Sequence, residues 1–266
     1  MESESNRQGP DIGTDEGTGM PWYTDYFDED YFSGREAYLE SERTGQEVEF
    51  VIERLGLLPA QRILDLCCGQ GRHCVALALR GFRLTGLDLS QHLLDLARQA
   101  TKEAGVHVDL VRSDMRDIPF HSCFDGAINM FTAFGYLESD EEDNKVLCAV
   151  LEALKPGGAF LMDTMNREWL VRNFRPTDWG KGSNGTLIVS ERELDPTDGR
   201  IRVKETLIRP DASRRERGHV LRLYSYTELA AMMGSAGFRI EGVWGSFDGS
   251  AYGLDSRRMI ILARRP

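Results

Sequence analysis

The sequence predicts an α/β protein: a doubly wound, mostly parallel sheet that carries an antiparallel β insertion. Three observations lead there. Short apolar runs alternate with amphipathic stretches between residues 45 and 163, and strands separated by helices pair in parallel. The first apolar run passes directly into a glycine-rich turn, "ILDLCCGQGRH" (63–73), ahead of a helical stretch. Between 164 and 224 the period changes to two: Ile201, Val203 and Glu205 alternate with Arg202, Lys204 and Thr206, the pattern of a half-buried antiparallel strand.

In chain order, residues 1–20 are rich in Gly, Glu, Ser and Asp without periodicity, which predicts a disordered acidic tail. The segment "PWYTDYFDEDYF" (21–32) holds too many rings to stay solvated, so 21–44 is read as an aromatic arm or lid over the body, 45–266. A helix is expected over 45–56, with Val48, Val51, Ile52 and Leu55 on one side and Gly56 ending it. A strand over 62–67 and a helix over 71–80 follow, the helix stopping at Gly81. A second strand occupies 82–88. Ser90 caps a helix that runs to Ala104, with Leu93, Leu94, Leu96, Ala97 and Ala100 inward.

Third and fourth strands are expected over 107–111 and 124–130, then a helix over 140–154 carrying Val146, Leu147, Val150, Leu151 and Leu154. Pro156, Gly157 and Gly158 form a turn before a fifth strand over 159–163. Within the insertion (164–224), strands over 187–194 and 201–208 flank the hairpin loop "DPTDG", and 218–224 adds a third. A helix over 227–236 ends at Gly237, and strands over 239–246 and 257–263 close the chain.

Charge and composition narrow the function classes. Net charge is −11, but residues 1–30 hold nine acids against Arg7, which leaves −3 for everything else. A near-neutral body lacks the basic face that a duplex nucleic acid requires, so no nucleic-acid partner is expected. Arg209, Arg214, Arg215 and Arg217 cluster, but Asp211 and Glu216 interrupt them, which reads as a solvated turn. No apolar run approaches membrane-spanning length, and the polar N-terminus lacks a secretory pattern. Five scattered cysteines (Cys67, Cys68, Cys74, Cys123, Cys148) suit reduced thiols in a cytoplasm. With no C-x-x-C pair and no histidine spacing suited to ligation, no metal is expected. His121 and His219 are the imidazoles considered as bases, each more simply read as a surface or loop residue.

The glycine-rich turn brings backbone N–H groups and a positive helix end to one point. A phosphate loop would need a lysine after Gly71, which is absent. A dinucleotide turn would need a third glycine where Cys74 stands, although Asp88 does sit at the end of the second strand.

Further features favour another cofactor. Asp65 lies inside the first strand, Asp114 follows the third in "RSDMRDIPF", and "LKPGG" precedes the fifth. With "LDLCCGQG" and "LTGLDLS", these residues resemble class I S-adenosylmethionine-dependent methyltransferases, in order and spacing, over roughly 45–163. Cys67 departs from the family, which more often has glycine there.

The resemblance implies S-adenosylmethionine as cofactor and the strand order 3-2-1-4-5-7-6 with strand 7 antiparallel. It also implies a cofactor site of Asp65, Cys67, Gly69, Gly71, Asp88, Leu89, Asp114, Met115 and Asn129. Asp65 would serve the ammonium side or order the loop, Asp88 the ribose hydroxyls, and Asp114 with the Met115 amide the adenine edge. The aromatic arm and "GSFDGSAYGLDSRRMIILARR" (245–265) bear a looser resemblance to bacterial small-molecule methyltransferases, N-methyltransferases of natural-product pathways among them. That implies Tyr23, Tyr31 and Phe131 around the reacting centre, Arg43 at the cofactor carboxylate, and a small-molecule acceptor. A protein or RNA methyltransferase and a non-catalytic cofactor-binding protein are the rivals. The alternating insertion needs cover for its apolar face, from the domain's own mouth or from a second subunit.

Overall fold

The computed structural model describes residues 21–31 and 41–266. The acidic tail over 1–20 and residues 32–40 of the arm lie outside the described residues. The arm contributes a short helix, α1 (Tyr23–Tyr26), and the body opens with α2 (Ser41–Leu55). The parallel part then runs β1 (Arg62–Leu66), α3 (Arg72–Ala78), β2 (Arg83–Asp88), α4 (Gln91–Ala104), β3 (Val108–Arg112), β4 (Phe124–Asn129), α5 (Asp140–Ala153) and β5 (Leu154–Met165). The insertion supplies α6 (Arg167–Arg172), β6 (Thr177–Lys181), β7 (Leu187–Asp195), β8 (Arg200–Ile208) and β9 (Arg214–Arg222). The chain ends with α7 (Tyr226–Ala236), β10 (Arg239–Trp244) and β11 (Arg258–Arg264).

Local chemistry sets the boundaries. The Ser90 hydroxyl accepts the Leu93 N–H and starts α4, and Gly105 at φ +67° ends it. Ser225 and Glu228 close a reciprocal capping box on α7, with Gly237 left-handed at its end.

Seven strands form one sheet in the order β3-β2-β1-β4-β5-β11-β10, with β11 antiparallel to both neighbours. The last two places, expected for strands six and seven, carry the numbers ten and eleven because four strands of the insertion intervene. Neighbouring residues of one strand serve opposite faces. Leu64 joins a core with Val146, Leu147 and Leu229 from α5 and α7, whereas Ile63 joins Val48, Leu77 and Leu94 from α2, α3 and α4. Those strands are apolar on both sides because both sides are covered.

The insertion is a separate four-stranded antiparallel sheet, β6-β7-β8-β9. Ile201 and Val203 of β8 are buried with Leu221 against Tyr136, Met165, Leu170 and Phe174 of the same chain. The domain itself thus covers this face. Three expectations change. Pro156–Gly158 falls within β5, where the β4–β5 register slips, rather than ahead of it. The third insertion strand begins at Arg214, not at 218. The arginine cluster is therefore not a solvated turn: Arg215 pairs with Asp28 and Asp30, and Arg217 with Glu205. Helix α6 and strand β6 have no counterpart in the sequence reading.

Candidate active site

Strand β1 ends at Leu66, and the chain turns sharply through left-handed conformations at Cys67 (φ +60°), Gly69 (φ +56°) and Gly71 (φ +79°) before entering α3. The two glycines do different work. A Cβ on Gly69 would meet nothing within 4 Å, and Gly69 lines a cleft of about 1180 Å³, its open mouth included. A Cβ on Gly71 would come within 3.0 Å of Ala97 Cβ. Gly71 thus lets the turn pack on α4 and stands outside the cleft wall.

Parallel pairing sets Leu66 beside Leu87, which brings Asp88, at the end of β2, to the turn. Asp88 Oδ2 accepts the Gly69 N–H at 2.8 Å and Oδ1 the Ser90 N–H at 2.9 Å. Burial raises this carboxyl above its ordinary range, against the pull of those two amides. Each oxygen keeps a lone pair for a further donor. Asp65 is buried deeper, 1% exposed, and accepts the Cys74 thiol at 3.2 Å. Burial pushes its carboxyl up, while His73 and Arg72 oppose the shift. Asp65, Cys67, Asp88, Leu89, Asp114 and Met115 all line the cleft. Asp114 is already engaged: the Arg116 guanidinium donates to Oδ1 at 3.0 Å and to Oδ2 at 2.7 Å. Burial raises that carboxyl, but the Arg116 hydrogen bonds outweigh it and hold it below the usual range.

The opposite wall follows β4. Phe131 (φ +62°) and Thr132 (φ +61°) are consecutive left-handed residues, and both line the cleft with Tyr136. The arm closes the mouth with Tyr23, Phe27 and Tyr31. Phe27 and Tyr31 meet edge-to-face at 4.9 Å between ring centroids. The Tyr23 hydroxyl donates to Glu138 at 3.3 Å, and burial, reinforced by the Glu138 charge, pushes it up to about 12. At neutral pH it remains a donor.

Two further expected residues stand outside the wall. Asn129 is fully buried and donates to the Leu66 carbonyl at 3.1 Å, tying β4 to β1. Arg43 bonds Glu47 at 3.0 Å. The cation in the wall is Arg72, which also bonds Glu47, reaches Thr44 Oγ1 at 3.0 Å and lies 5.9 Å from the centre of the Phe131 ring. His73 joins them, its Nε2 2.9 Å from Glu47. Burial raises the Glu47 carboxyl, but His73 and Arg72 outweigh it and hold it at about 2. Sequence reasoning missed this cluster. A signal existed: two basic residues at a helix N-terminus oppose the helix dipole and call for an acid. His219 packs instead under the arm, 4.9 Å from Tyr26, and His121 lies exposed beside Glu152.

Among the described residues no group of three or more His, Cys, Asp or Glu side chains is arranged to hold a metal, and no helix is long and apolar enough to cross a membrane.

A family model described as a methyltransferase domain matches residues 63–158. The chain is 27% identical to the dTDP-3-amino-3,4,6-trideoxy-alpha-D-glucopyranose N,N-dimethyltransferase of Streptomyces venezuelae, over 71% of this chain and 80% of that one. It is 28% identical to the cypemycin N-terminal methyltransferase of a Streptomyces species, over 78% of this chain and 84% of the relative. An S-adenosylmethionine-dependent methyltransferase structure from Clostridium acetobutylicum aligns with a TM-score of 0.77 at 19% identity, covering 88% of this chain and 96% of that one. At that identity the likeness speaks for the fold.

Proposed function

We propose that this chain is a class I S-adenosylmethionine-dependent methyltransferase that transfers the cofactor's methyl group to a nitrogen of a small-molecule acceptor, a reading supported by its methyltransferase-domain match and its similarity to N-methyltransferases. One observation carries the reading. A single cleft joins the Asp88–Gly69 turn to a wall of aromatic side chains from the arm and from the segment after β4.

The residues fit the cofactor. Open space at Gly69 admits a ligand against the main chain, and the spare lone pairs of Asp88 suit two ribose hydroxyls. Leu89, Cys67 and Met115 offer apolar surface to the adenine, and the Met115 amide with Asp114 its polar edge. Asp65 suits the α-ammonium group. Arg72, being in the wall, matches the cofactor carboxylate better than Arg43.

When bound, the cofactor supplies a methyl group on a sulfonium sulfur. An aromatic face such as that of Phe131 attracts such a cation by roughly 0.5–2 kcal/mol. Tyr23, Tyr31 and Tyr136 hold the acceptor in line and keep water out, which a neutral amine needs more than it needs a base. With Tyr23 pushed up to about 12, its hydroxyl orients rather than deprotonates. By their names, both curated relatives act at amino nitrogens, one on a nucleotide-linked amino sugar and one at an N-terminus. Amines of that size are the acceptors favoured here.

The test has two arms. Calorimetry with S-adenosylhomocysteine is expected to show binding. Tritiated S-adenosylmethionine, offered with dTDP-amino sugars, short peptides and matched hydroxyl compounds, is expected to label an amine. Label only on hydroxyl compounds, or binding with no transfer, overturns the N-methylation reading.

A further inference from the structure

One buried acid next to the cleft has no part in the site so far. Asp163, near the end of β5, is 3% exposed and does not line the cleft. In the sheet register Arg258 of β11 lies opposite Met165, two residues beyond Asp163 on β5. The Arg258 and Asp163 side chains therefore emerge on one face as diagonal neighbours. Their contact is a fork: Arg258 Nε donates to Oδ1 and Nη2 to Oδ2, each at 2.7 Å. Oδ2 also accepts the Phe131 N–H at 2.9 Å, and the Asp163 carbonyl accepts the Thr132 N–H at 3.0 Å. One residue thus binds both amides of the turn after β4.

That turn needs holding. At positive φ a side chain crowds the following carbonyl, and here two non-glycine residues accept that in succession. Such strain persists only where the surroundings over-determine it. Its result is an aromatic ring and a hydroxyl set in the cleft wall. The Thr132 hydroxyl is buried and has no hydrogen-bond partner among the described residues, so nothing in the turn's own bonding explains why a threonine stands there.

We propose that Asp163, locked by Arg258, is the positioning residue of this site: it holds Phe131 and Thr132 in their left-handed turn and so keeps the Phe131 ring facing the sulfonium. The inference rests on the methyl-transfer reading above. It needs no contact between Asp163 and either ligand, and it leaves Asp65 and Asp88 undisturbed when Asp163 is changed.

A spectroscopic signature tests it without an acceptor. The protein is labelled with 4-fluorophenylalanine, and the Phe131 resonance is assigned by its loss in Phe131→Leu. In the wild type this resonance is expected to differ between complexes with S-adenosylmethionine, which is charged, and S-adenosylhomocysteine, which is not. In Asp163→Asn one acceptor oxygen becomes an NH2 that meets a guanidinium donor in either orientation, so the fork is broken and the hold on the Phe131 amide weakens, while the main-chain bond to Thr132 stays. The difference is then expected to shrink while S-adenosylhomocysteine affinity is retained. A full difference in folded Asp163→Asn overturns the proposal. So does loss of cofactor affinity in step with stability, which would make Asp163 a general structural residue.

Should Asp163→Asn fail to fold, Arg258→Lys, which keeps the charge and loses the fork, is expected to shrink the same difference. In the wild type the Phe131 amide is expected to resist hydrogen exchange, and exchange at open-loop rates overturns the proposal. If neither cofactor moves any wild-type resonance, the methyl-transfer reading fails, whereas amide protection still tests the turn.

Discussion

Asp88 binds two main-chain amides, those of Gly69 and Ser90, and still faces the cleft. Its loss therefore removes the brace of the turn and, on the proposed reading, the acceptor of the ribose hydroxyls as well. Each hydrogen bond to a charged group is worth about 1.5–3 kcal/mol, so Asp88→Ala is expected to weaken S-adenosylhomocysteine binding at least tenfold. Calorimetry on folded variant checks this, and an unchanged dissociation constant would take Asp88 out of the ribose site. The acids are legible in the sequence because each lies within or just beyond the last residues of a parallel strand, so position along the chain is enough to bring them to the cleft. Arg72 and His73 were not singled out, because their partner Glu47 comes from a helix that precedes the first strand. The sequence places Gly71 with the cofactor for a similar reason. That its Cβ would meet Ala97 depends on how closely α4 approaches, which no spacing along the chain reports.

Elements of strong period are legible in kind from the sequence, with ends displaced by a residue or a few. Short and charged ones are not. Helix α6 has no buried residue and depends on Asn166, whose side chain caps it. Strand β9 looked like a turn because the acids that neutralise its arginines, Asp28, Asp30 and Glu205, lie on other elements. The arm and the insertion meet there, and Tyr26 donates to Glu205 at 3.1 Å inside the same cluster. A truncation that removes the chain through Tyr31 takes away three of the rings at the mouth of the cleft. It is expected to abolish methyl transfer and to weaken cofactor binding less. Full turnover in the truncated protein would leave the arm no role. Ile201 and Val203, on the buried face of β8, pack with Leu221 under Tyr136. Placing aspartates there buries unpaired charge, at a cost of about 3 kcal/mol or more. Ile201→Asp with Val203→Asp is expected to lower the melting temperature and acceptor turnover, whereas a folded variant that lost cofactor binding alone would contradict this architecture.

Across the whole molecule the doubly wound sheet is joined to the insertion through a half-buried polar cluster. The Tyr224 hydroxyl lies 2.7 Å from Asp143 Oδ2 and 2.9 Å from Asp140 Oδ1, both on α5. Asp143 is wholly buried, and that burial pushes its carboxyl up to about 7 against the Tyr224 hydrogen bond. A folded-state value above the ordinary carboxyl value of about 3.9 means that folding favours the protonated form. The wild type therefore keeps this contribution below about pH 4 and loses it as pH rises through about 7. Asp143→Asn, which cannot ionise, is expected to be the more stable protein at pH 8 but not at pH 4. Urea midpoints at the two values check the sign, and a constant gap between the two proteins would remove Asp143 as its source. The arm offers a last consequence at this scale. It is fastened on both sides of the cleft: the Phe27 carbonyl accepts the Ser90 hydroxyl at 3.0 Å, and Asp30 takes Arg209 at 2.7 Å and Arg215 at 2.6 Å. The two arginines are about one-third exposed, 35% and 38%, so dissolved ions weaken their hold, while ring contacts and the hydroxyl bond stay as they are. Rising ionic strength is therefore expected to loosen the Asp30 end of the arm before the Ser90 end, which hydrogen exchange over residues 21–31 at two salt concentrations checks.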